Sequence, residues 1–295
     1  MVRILGTVFA GLVGLAFGSF LNVCLSRWPA GESVVKPRSH CRNCDRTLVW
    51  WENVPLLSWL ALRGSCRTCH ALISWRYPLV ESAVGALWAT IASRFFSSFP
   101  NTTTPNVSIS HSPLYLLQSA ATVGGMMLLI WVLVGLAALD SEHLWLPDIV
   151  TLPGILLGVI VSLLRGDSLL ATSSPPLSVL NQLLRLAFSI LIAAGLILLI
   201  RWTYWLIRRR EGIGLGDAKL MAMLAVWLGL AGAILAFAIG VVLGAAVGIA
   251  ILSVPRLRRS EETPALTKLP LGTFLCIGGI ISSLWGRPIL AAYLH

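Results

Sequence analysis

The chain contains a succession of nearly uninterrupted apolar stretches, most of them about as long as a bilayer is thick. Stretches of roughly 20 apolar residues are typical of transmembrane helices, because a helix satisfies its own backbone hydrogen bonds inside hydrocarbon. A mean hydropathy of +0.84, with 57% hydrophobic and only 12% charged residues, supports the same interpretation. The sequence therefore predicts an all-α, polytopic helical membrane protein.

About eight transmembrane helices are predicted from these stretches and the polar segments between them. They cover residues 4–25, 78–99, 114–139, 149–164, 179–207, 218–230, 233–254 and 271–294. The boundary between the sixth and seventh spans rests on Gly229 and Gly232 alone. The first stretch is longer than a signal-peptide core and has no clear small-residue cleavage site, so we expect it to stay in place as a span.

Basic residues are unevenly distributed among the polar segments. Residues 27–77 hold eight Lys and Arg, residues 208–219 hold four and residues 254–270 hold four, whereas residues 100–113 and 167–178 hold none. Because basic loops are retained in the cytoplasm, this pattern places those three segments inside and both termini outside. The net charge of +10 therefore reflects membrane orientation. We expect contact with membrane lipid and no nucleic-acid partner.

Four of the six cysteines form two Cys-x-x-Cys pairs in the polar segment 27–77, namely Cys41 with Cys44 and Cys66 with Cys69. Two such pairs separated by 21 residues are typical of a tetrahedral zinc site with four thiolate ligands. A reducing cytoplasm disfavours disulfides here. We predict a small cytoplasmic loop domain (27–77) held by a structural Zn²⁺, between a first helix (1–26) and a membrane domain (78–295). His40 and His70 are alternative ligands.

Two carboxylates lie at the ends of apolar stretches. Asp140 closes one stretch, and Asp217 follows Gly214-Leu215-Gly216 at the start of another. A carboxylate within a membrane span costs about 2.5–3.5 kcal/mol, so such residues are usually functional. If the two meet at the cytoplasmic face, they would share one proton and hold a water between them, one acting as base and the other polarising a carbonyl.

The position of Asp217 at a helix start favours its ionised form, and hence the role of base. The alternative is that Asp217 is only a helix cap and Asp140 an ordinary interfacial residue. Asp148 is interpreted as a helix cap and loop anchor. Lys219 either screens the pair, binds a substrate carboxylate or faces solvent.

Long motifs along nearly the whole chain resemble those of the bacterial type IV prepilin peptidases, which are bifunctional leader peptidase/N-methyltransferases. The motifs are FGSFLNVCLSRWP, the cysteine segment PRSHCRNCDRTLVWWENVPLLSWLALRGSCRTCHALISWRYPLVE, LDSEHLWLPDIVTLP, GIGLGDAKLMAMLAVWLG and KLPLGTFLCIGG. The resemblance implies an aspartic protease of the Gly-x-Gly-Asp type with Asp140 and Asp217 as its catalytic pair. It also implies that Cys41, Cys44, Cys66 and Cys69 bind zinc.

The resemblance further implies a substrate and a second activity. Such enzymes remove the basic leader of type IV prepilin or pseudopilin precursors after a glycine, at the cytoplasmic face of the bacterial inner membrane. They then methylate the new N-terminal residue with S-adenosylmethionine. The chain has no Gly-rich nucleotide loop that marks a donor site, and Glu52 and Glu81 are the candidates for it.

Three other functions remain open from the residues alone. An intramembrane protease of the Gly-x-Gly-Asp type would cut within transmembrane helices. An ion- or proton-coupled transporter would use its buried carboxylates as relays, although no internal repeat is evident in this chain. A membrane-anchored zinc module would only recruit partners, and it leaves the Gly-Leu-Gly-Asp segment unexplained.

Overall fold

The computed structural model describes residues 1–97, 113–165, 175–209, 214–253 and 269–294. Most of the predicted polar loops at 100–113, 167–178 and 254–270 lie outside these ranges.

The described residues form helices and turns, as predicted for the all-α class. Seven helices are long and apolar enough to cross a bilayer, and α2 is a short helix in the cysteine segment. The helices are α1 (Val2–Arg27), α2 (Leu57–Ala61), α3 (Arg76–Ser97), α4 (Pro113–His143), α5 (Asp148–Arg165), α6 (Pro175–Arg208), α7 (Leu215–Ser253) and α8 (Leu271–Leu294).

The sixth and seventh predicted spans correspond to the two arms of α7, and the break between them lies at Gly229 as predicted. A straight helix of its 39 residues would be about 58 Å long, nearly twice the hydrocarbon thickness. The backbone breaks at Gly229, where φ is 75° and ψ is 171°, a conformation that glycine adopts easily.

Packing against α8 shows that α7 reverses its direction at this break. Gly216, at the start of α7, lies beside Leu146, and so does Gly272 at the start of α8. The hydroxyl of Ser282, eleven residues along α8, donates to the carbonyl of Gly232 just after the break. Gly248, near the end of α7, then packs on Leu269, which precedes α8. Both arms of α7 therefore have an end beside the start of α8.

The described chain divides into two compact units. The first contains α1, the cysteine segment, α2, α3 and residues 126–135 of α4. The second contains the remainder of α4 together with α5 to α8.

Glycines bring α1 and α3 into close contact within the first unit. A Cβ on Gly14 would lie 3.0 Å from the Cα of Gly85, and one on Gly18 would lie 2.7 Å from the Cα of Glu81. Small residues permit such close approach of helix backbones in membranes. The glycines of α1 therefore allow α3 to approach closely.

Glycines have the same role in the second unit. The indole of Trp227 on α7 donates to the carbonyl of Gly154 on α5 at 2.9 Å, and its ring fills the space beside Gly158. On the other arm, a side chain at Gly278 of α8 would collide with the carbonyl of Ala236. The arms of α7 are thus fixed against two different helices, α5 and α8.

Candidate active site and metal centre

Asp140 lies near the end of α4 and is held by the first turn of α8. Its Oδ2 accepts a hydrogen bond from the backbone N–H of Thr273 at 2.6 Å and lies 3.1 Å from the Thr273 hydroxyl. That hydroxyl is also 3.1 Å from the carbonyl of Ala137, one turn earlier in α4. The carboxylate therefore satisfies a free N–H of a helix that begins 131 residues further along the chain.

Asp217 is held by the start of its own helix. Its Oδ2 accepts a hydrogen bond from the backbone N–H of Gly214 at 3.1 Å. Gly214 precedes the first residue of α7, so this contact is one half of a capping box. Asp217 is 7% exposed and Asp140 is 6% exposed. The sequence placed Asp217 at a helix start, and the structure agrees.

A single leucine joins the surroundings of the two carboxylates. Leu146 follows α4 and packs against both Gly216, which neighbours Asp217, and Gly272, which neighbours Thr273. A Cβ on Gly272 would lie 2.9 Å from the carboxyl carbon of Asp140. The two carboxylates are close enough for their charges to interact. The structure thus brings together the two acids that the sequence singled out.

Asp217 lies in the first turn of α7, whereas Asp140 lies in the last turn of α4 and faces the first turn of α8. The positive end of a helix therefore faces each carboxylate. A helix start next to Asp217 alone does not distinguish the two acids. The assignment of the base to Asp217 stays a prediction.

Two charged residues close to the site form a pair at its edge. Lys219 donates to Asp148 at 2.6 Å, with the side chains 37% and 57% exposed. Asp148 begins α5, so the interpretation of this residue as a loop anchor agrees with the structure. The ion pair of Lys219 with Asp148 therefore connects α7 to α5.

The four predicted zinc cysteines form one cluster in the first unit. The sulfur atoms of Cys41, Cys44, Cys66 and Cys69 all lie within 4.8 Å of one another. The sulfurs of Cys41 and Cys69 are 3.7 Å apart. Tetrahedral Zn²⁺ with Zn–S bonds of about 2.3 Å requires neighbouring sulfurs to be about 3.8 Å apart. The arrangement fits a metal ion with four thiolate ligands, and neither His40 nor His70 belongs to this cluster.

Each Cys-x-x-Cys pair is shaped by the same local turn. Asp45 donates its N–H to the carbonyl of Cys41, and His70 donates its N–H to the carbonyl of Cys66. Both Asp45 and His70 have positive φ, 52° and 55°, directly after the second cysteine of their pair. The backbone therefore folds around each sulfur pair in the same way. Because each turn involves only a few residues, the Cys-x-x-Cys spacing is enough to identify the four cysteines from the sequence.

Hydrogen bonds prepare part of the cluster for metal binding. The N–H groups of Cys69 and Thr68 point at the sulfur of Cys66 and lower the pKa of that thiol to about 6. A thiol with a lowered pKa is a better metal ligand, because the thiolate is the form that binds. Arg46 contacts the sulfur of Cys66 and donates to Glu52 at 2.7 Å. Metal ligands usually have such outer partners.

Glu52 and Glu81, the candidate donor-site residues, line one cavity between α1, α3 and the cysteine segment. Both are 6% exposed. The hydrogen bond from Arg46 lowers the pKa of Glu52 and keeps it ionised. That both glutamates line the same cavity was not evident from their positions in the sequence.

Two contributors to these sites were missed by sequence reasoning. Thr273 was part of a recognised motif, but nothing in the sequence connected it to Asp140. A signal existed, because Pro270 directly before Leu271 is typical of a helix start, where free N–H groups attract an anion. Arg46, two residues after Cys44, was counted only among the basic residues of the segment 27–77.

Comparison with known proteins agrees with this geometry. Residues 12–95 match the bacterial peptidase A24 N-terminal domain, and residues 127–249 match the type IV leader peptidase family. The first match contains the cysteine cluster and both cavity acids, and the second contains Asp140 and Asp217. No solved structure matches the chain.

Whole proteins match over nearly the full chain. A prepilin leader peptidase/N-methyltransferase of Stutzerimonas stutzeri is 33% identical over 307 residues, which cover 96% of this chain and 92% of the relative. A protein of the same description from Pseudomonas aeruginosa is 32% identical with the same coverage. One from Myxococcus xanthus is 35% identical and covers 90% of this chain and 70% of the relative. This multi-pass membrane protein therefore belongs to the type IV leader peptidase family.

Proposed function

We propose that this protein is an aspartic endopeptidase that removes the leader of type IV prepilin or pseudopilin precursors. The observation that carries the proposal is the meeting of two buried carboxylates, Asp140 and Asp217, from helices far apart in the sequence. Each carboxylate accepts a hydrogen bond from a backbone N–H at a helix start, and these bonds fix the orientation of both side chains. The relatives are named for this activity.

The proposed reaction is hydrolysis by a shared water. One ionised carboxylate removes a proton from water while the protonated partner donates a hydrogen bond to the scissile carbonyl. Like charges held close together resist double ionisation, so the pair retains one proton. Hydroxide adds to the carbonyl carbon, and the returning proton leaves with the amine of the new N-terminus. No metal ion is needed for these steps.

The position of the pair determines which bond is cut. Asp140 is followed within four residues by the end of α4, and Asp217 is the third residue of α7. Both acids therefore lie at helix ends, where a span meets water. We propose that the leader remains in water on the cytoplasmic side of the bacterial inner membrane, and that cleavage after glycine occurs at this level. The alternatives, intramembrane cleavage within a helix and transport, receive no support from the family comparison.

The experiment is mass spectrometry of a precursor co-expressed with the full-length protein. The precursor has a short basic leader ending in glycine, followed by phenylalanine and an apolar helix. Wild-type protein is expected to remove the leader. Asp140→Asn is expected to leave it in place, because an amide cannot act as a general acid or base near neutral pH. Full cleavage by this variant would refute the proposed mechanism.

A second activity, methylation of the new N-terminus, is supported by the names of the relatives and by the cysteine cluster. S-adenosylmethionine supplies a methyl group on a sulfonium sulfur; transfer breaks the sulfur–methyl bond, forms a nitrogen–methyl bond and releases S-adenosylhomocysteine and a proton. In the same spectrum, a cleaved product carrying the mass of one added methyl group would show this activity. A product cleaved but never methylated would refute it.

We further propose that the ion held by the cysteine cluster is Zn²⁺ and that its role is structural. Four thiolates fill a tetrahedral coordination sphere and leave no position for substrate. Cys41, Cys44, Cys66 and Cys69 would hold the ion. It would fold the segment 27–77, which forms one wall of the cavity that contains Glu52 and Glu81.

A further inference from the structure

The cavity between α1, α3 and the cysteine segment, here called the α1–α3 cavity, is lined by side chains from all three. Its volume is about 150 Å³, and it is open on one side. All of its lining residues belong to the first unit. The carboxylate pair, by contrast, belongs to the second unit.

Of the charged side chains that line the cavity, all but two form an ion pair. Glu52 is paired with Arg46 at 2.7 Å, and at the mouth Glu32 is paired with Arg42 at 3.7 Å. The buried Glu81 and the buried Arg27 remain. These two are on α3 and α1, the helices that form the membrane side of the cavity.

Glu81 is a buried carboxylate whose hydrogen-bond partners are neutral. Its Oε2 accepts from the backbone N–H of Leu56 at 2.8 Å, and the side chains of Ser19 and Asn22 lie close to it. With 6% exposure, this carboxylate receives little help from water. Burying a charge is costly unless an opposite charge accompanies it, so the site favours a cationic ligand.

Arg27 is the corresponding buried cation. Its guanidinium donates to the backbone carbonyls of Ser33 at 2.8 Å and Pro37 at 2.7 Å, and it is 5% exposed. Arginine has five N–H donors, so two carbonyls leave donors for a carboxylate. The cavity thus offers a place for an anion and a place for a cation.

The remaining surface suits a flat ring and a sugar. Trp59 lines the cavity and is fixed by a hydrogen bond from its indole N–H to the carbonyl of Ile73 at 3.3 Å and by contact with Trp75. Asn53 and Ser58 supply amide and hydroxyl groups on the same lining. An aromatic face and a few polar groups are typical of a nucleoside site.

From these features we infer that the α1–α3 cavity is the methyl-donor site, with the sulfonium of S-adenosylmethionine facing Glu81 and its carboxylate facing Arg27. The inference rests on the proposed methyltransferase activity. The ligand carries the charges that the cavity leaves unbalanced, a cationic sulfur and a carboxylate. It also carries an adenine ring for the aromatic wall. The Arg46–Glu52 pair connects this cavity to the cysteine cluster through Cys66.

The test compares ligands that differ in one charge, using full-length protein in detergent and equilibrium binding without turnover. S-adenosylhomocysteine lacks the charge on sulfur but retains every other group. Glu81→Gln keeps an oxygen that accepts from Leu56 and removes only the carboxylate charge. This variant should bind S-adenosylmethionine about tenfold or more weakly, while its affinity for S-adenosylhomocysteine should change less than about threefold.

The control is Glu142→Gln, which removes the same charge from a residue outside the cavity lining and should leave both affinities unchanged. Equal losses for both ligands in Glu81→Gln would show that Glu81 only shapes the loop at Leu56, and would overturn the inference. Unchanged affinity for S-adenosylmethionine would overturn it as well.

A measurement on the wild-type protein avoids any question of folding. Decarboxylated S-adenosylmethionine keeps the sulfonium but has no carboxylate for Arg27, and it should bind about tenfold or more weakly than the parent. Equal affinity would overturn the role of Arg27. If wild type methylates a precursor while Glu81→Gln binds donor normally, the cavity is wrong and the proposed activity stands. If wild type neither methylates nor binds donor, the activity itself fails.

Discussion

The cysteine cluster and the carboxylate pair are built in opposite ways. The four cysteines lie between residues 41 and 69, and each pair is shaped by its own short turn. The carboxylate site takes Asp140 from α4, Asp217 from α7 and Thr273 from α8. One site is therefore local in sequence and shaped by short turns. The other is distant in sequence and depends on helix packing.

Because of this difference, we expect the two sites to respond differently to the loss of a metal ion or of a polar contact. The cysteine segment has little apolar core of its own, and several of its large apolar residues, such as Trp50, Leu72 and Trp75, are exposed. Loss of the metal should therefore unfold it. The first arm of α7, which carries Asp217, has fully buried side chains such as Leu220, Met221 and Leu224. Loss of one polar contact there should change the reaction and leave the fold intact.

The largest expected effect separates the two sites completely. Asp217→Asn should lower leader cleavage by about 10³-fold or more, because the variant cannot transfer the proton. Its affinity for S-adenosylmethionine should stay within twofold of wild type. Asp148→Asn is the matched control, since it removes the same charge from an exposed residue and should cleave within about threefold of wild type. A loss of donor affinity in Asp217→Asn would show that the sites are coupled.

Removal of the metal should have the converse effect. Cys66→Ser, or a strong zinc chelator, should reduce methylation by about 100-fold or more, because a structural metal site supplies much of the folding free energy of its segment. Bound metal, measured by elemental mass spectrometry, should fall from one ion per chain. Leader cleavage should fall by less than about tenfold, since the segment contributes no group to the carboxylate pair. Cys276→Ser, which alters a cysteine outside the cluster, should keep its metal.

A smaller effect is expected from Thr273, which we regard as a positioning residue for Asp140. Thr273→Val keeps the shape and the backbone N–H but removes the hydroxyl, and should lower kcat by about tenfold with little change in KM. Thr273→Ser should restore most of the activity, because it returns the hydroxyl to Asp140. Equal losses in the valine and serine variants would indicate a packing effect without a role for the hydroxyl.

The smallest effects concern helix packing in the two units. Gly278→Ala on α8 and Gly18→Ala on α1 place a methyl group against a neighbouring backbone, and each should lower stability by about 1–3 kcal/mol. Gly195→Ala on α6 is the control, because a Cβ there meets no atom within 4 Å. Thermal unfolding in detergent measures the difference. If Gly278→Ala matched this control, the close contact of α8 with the second arm of α7 would be disproved.

Much of the membrane architecture was determined by the sequence. Six of the predicted spans correspond to single helices, because an apolar stretch in hydrocarbon has few alternatives to a helix. The break between the sixth and seventh spans was predicted from two glycines in an apolar run, and the structure places it at Gly229. Whether such a glycine continues, kinks or reverses a helix depends on the contacts that α8 provides, including the Ser282 hydrogen bond to Gly232.

The functional residues also divide into those that the sequence identified and those whose contacts only the structure showed. Spacing alone identified the four cysteines as a set, since a short turn brings the members of each pair together. Sequence position also singled out Asp140 and Asp217, because an acid at the edge of an apolar stretch is energetically costly and is usually functional. The contact of Asp140 with Thr273 and the convergence of Glu81 and Arg27 on one cavity were decided only by the tertiary structure. Periodicity and spacing report on neighbours within a few turns, whereas contacts between distant helices depend on how their side chains and glycines fit together.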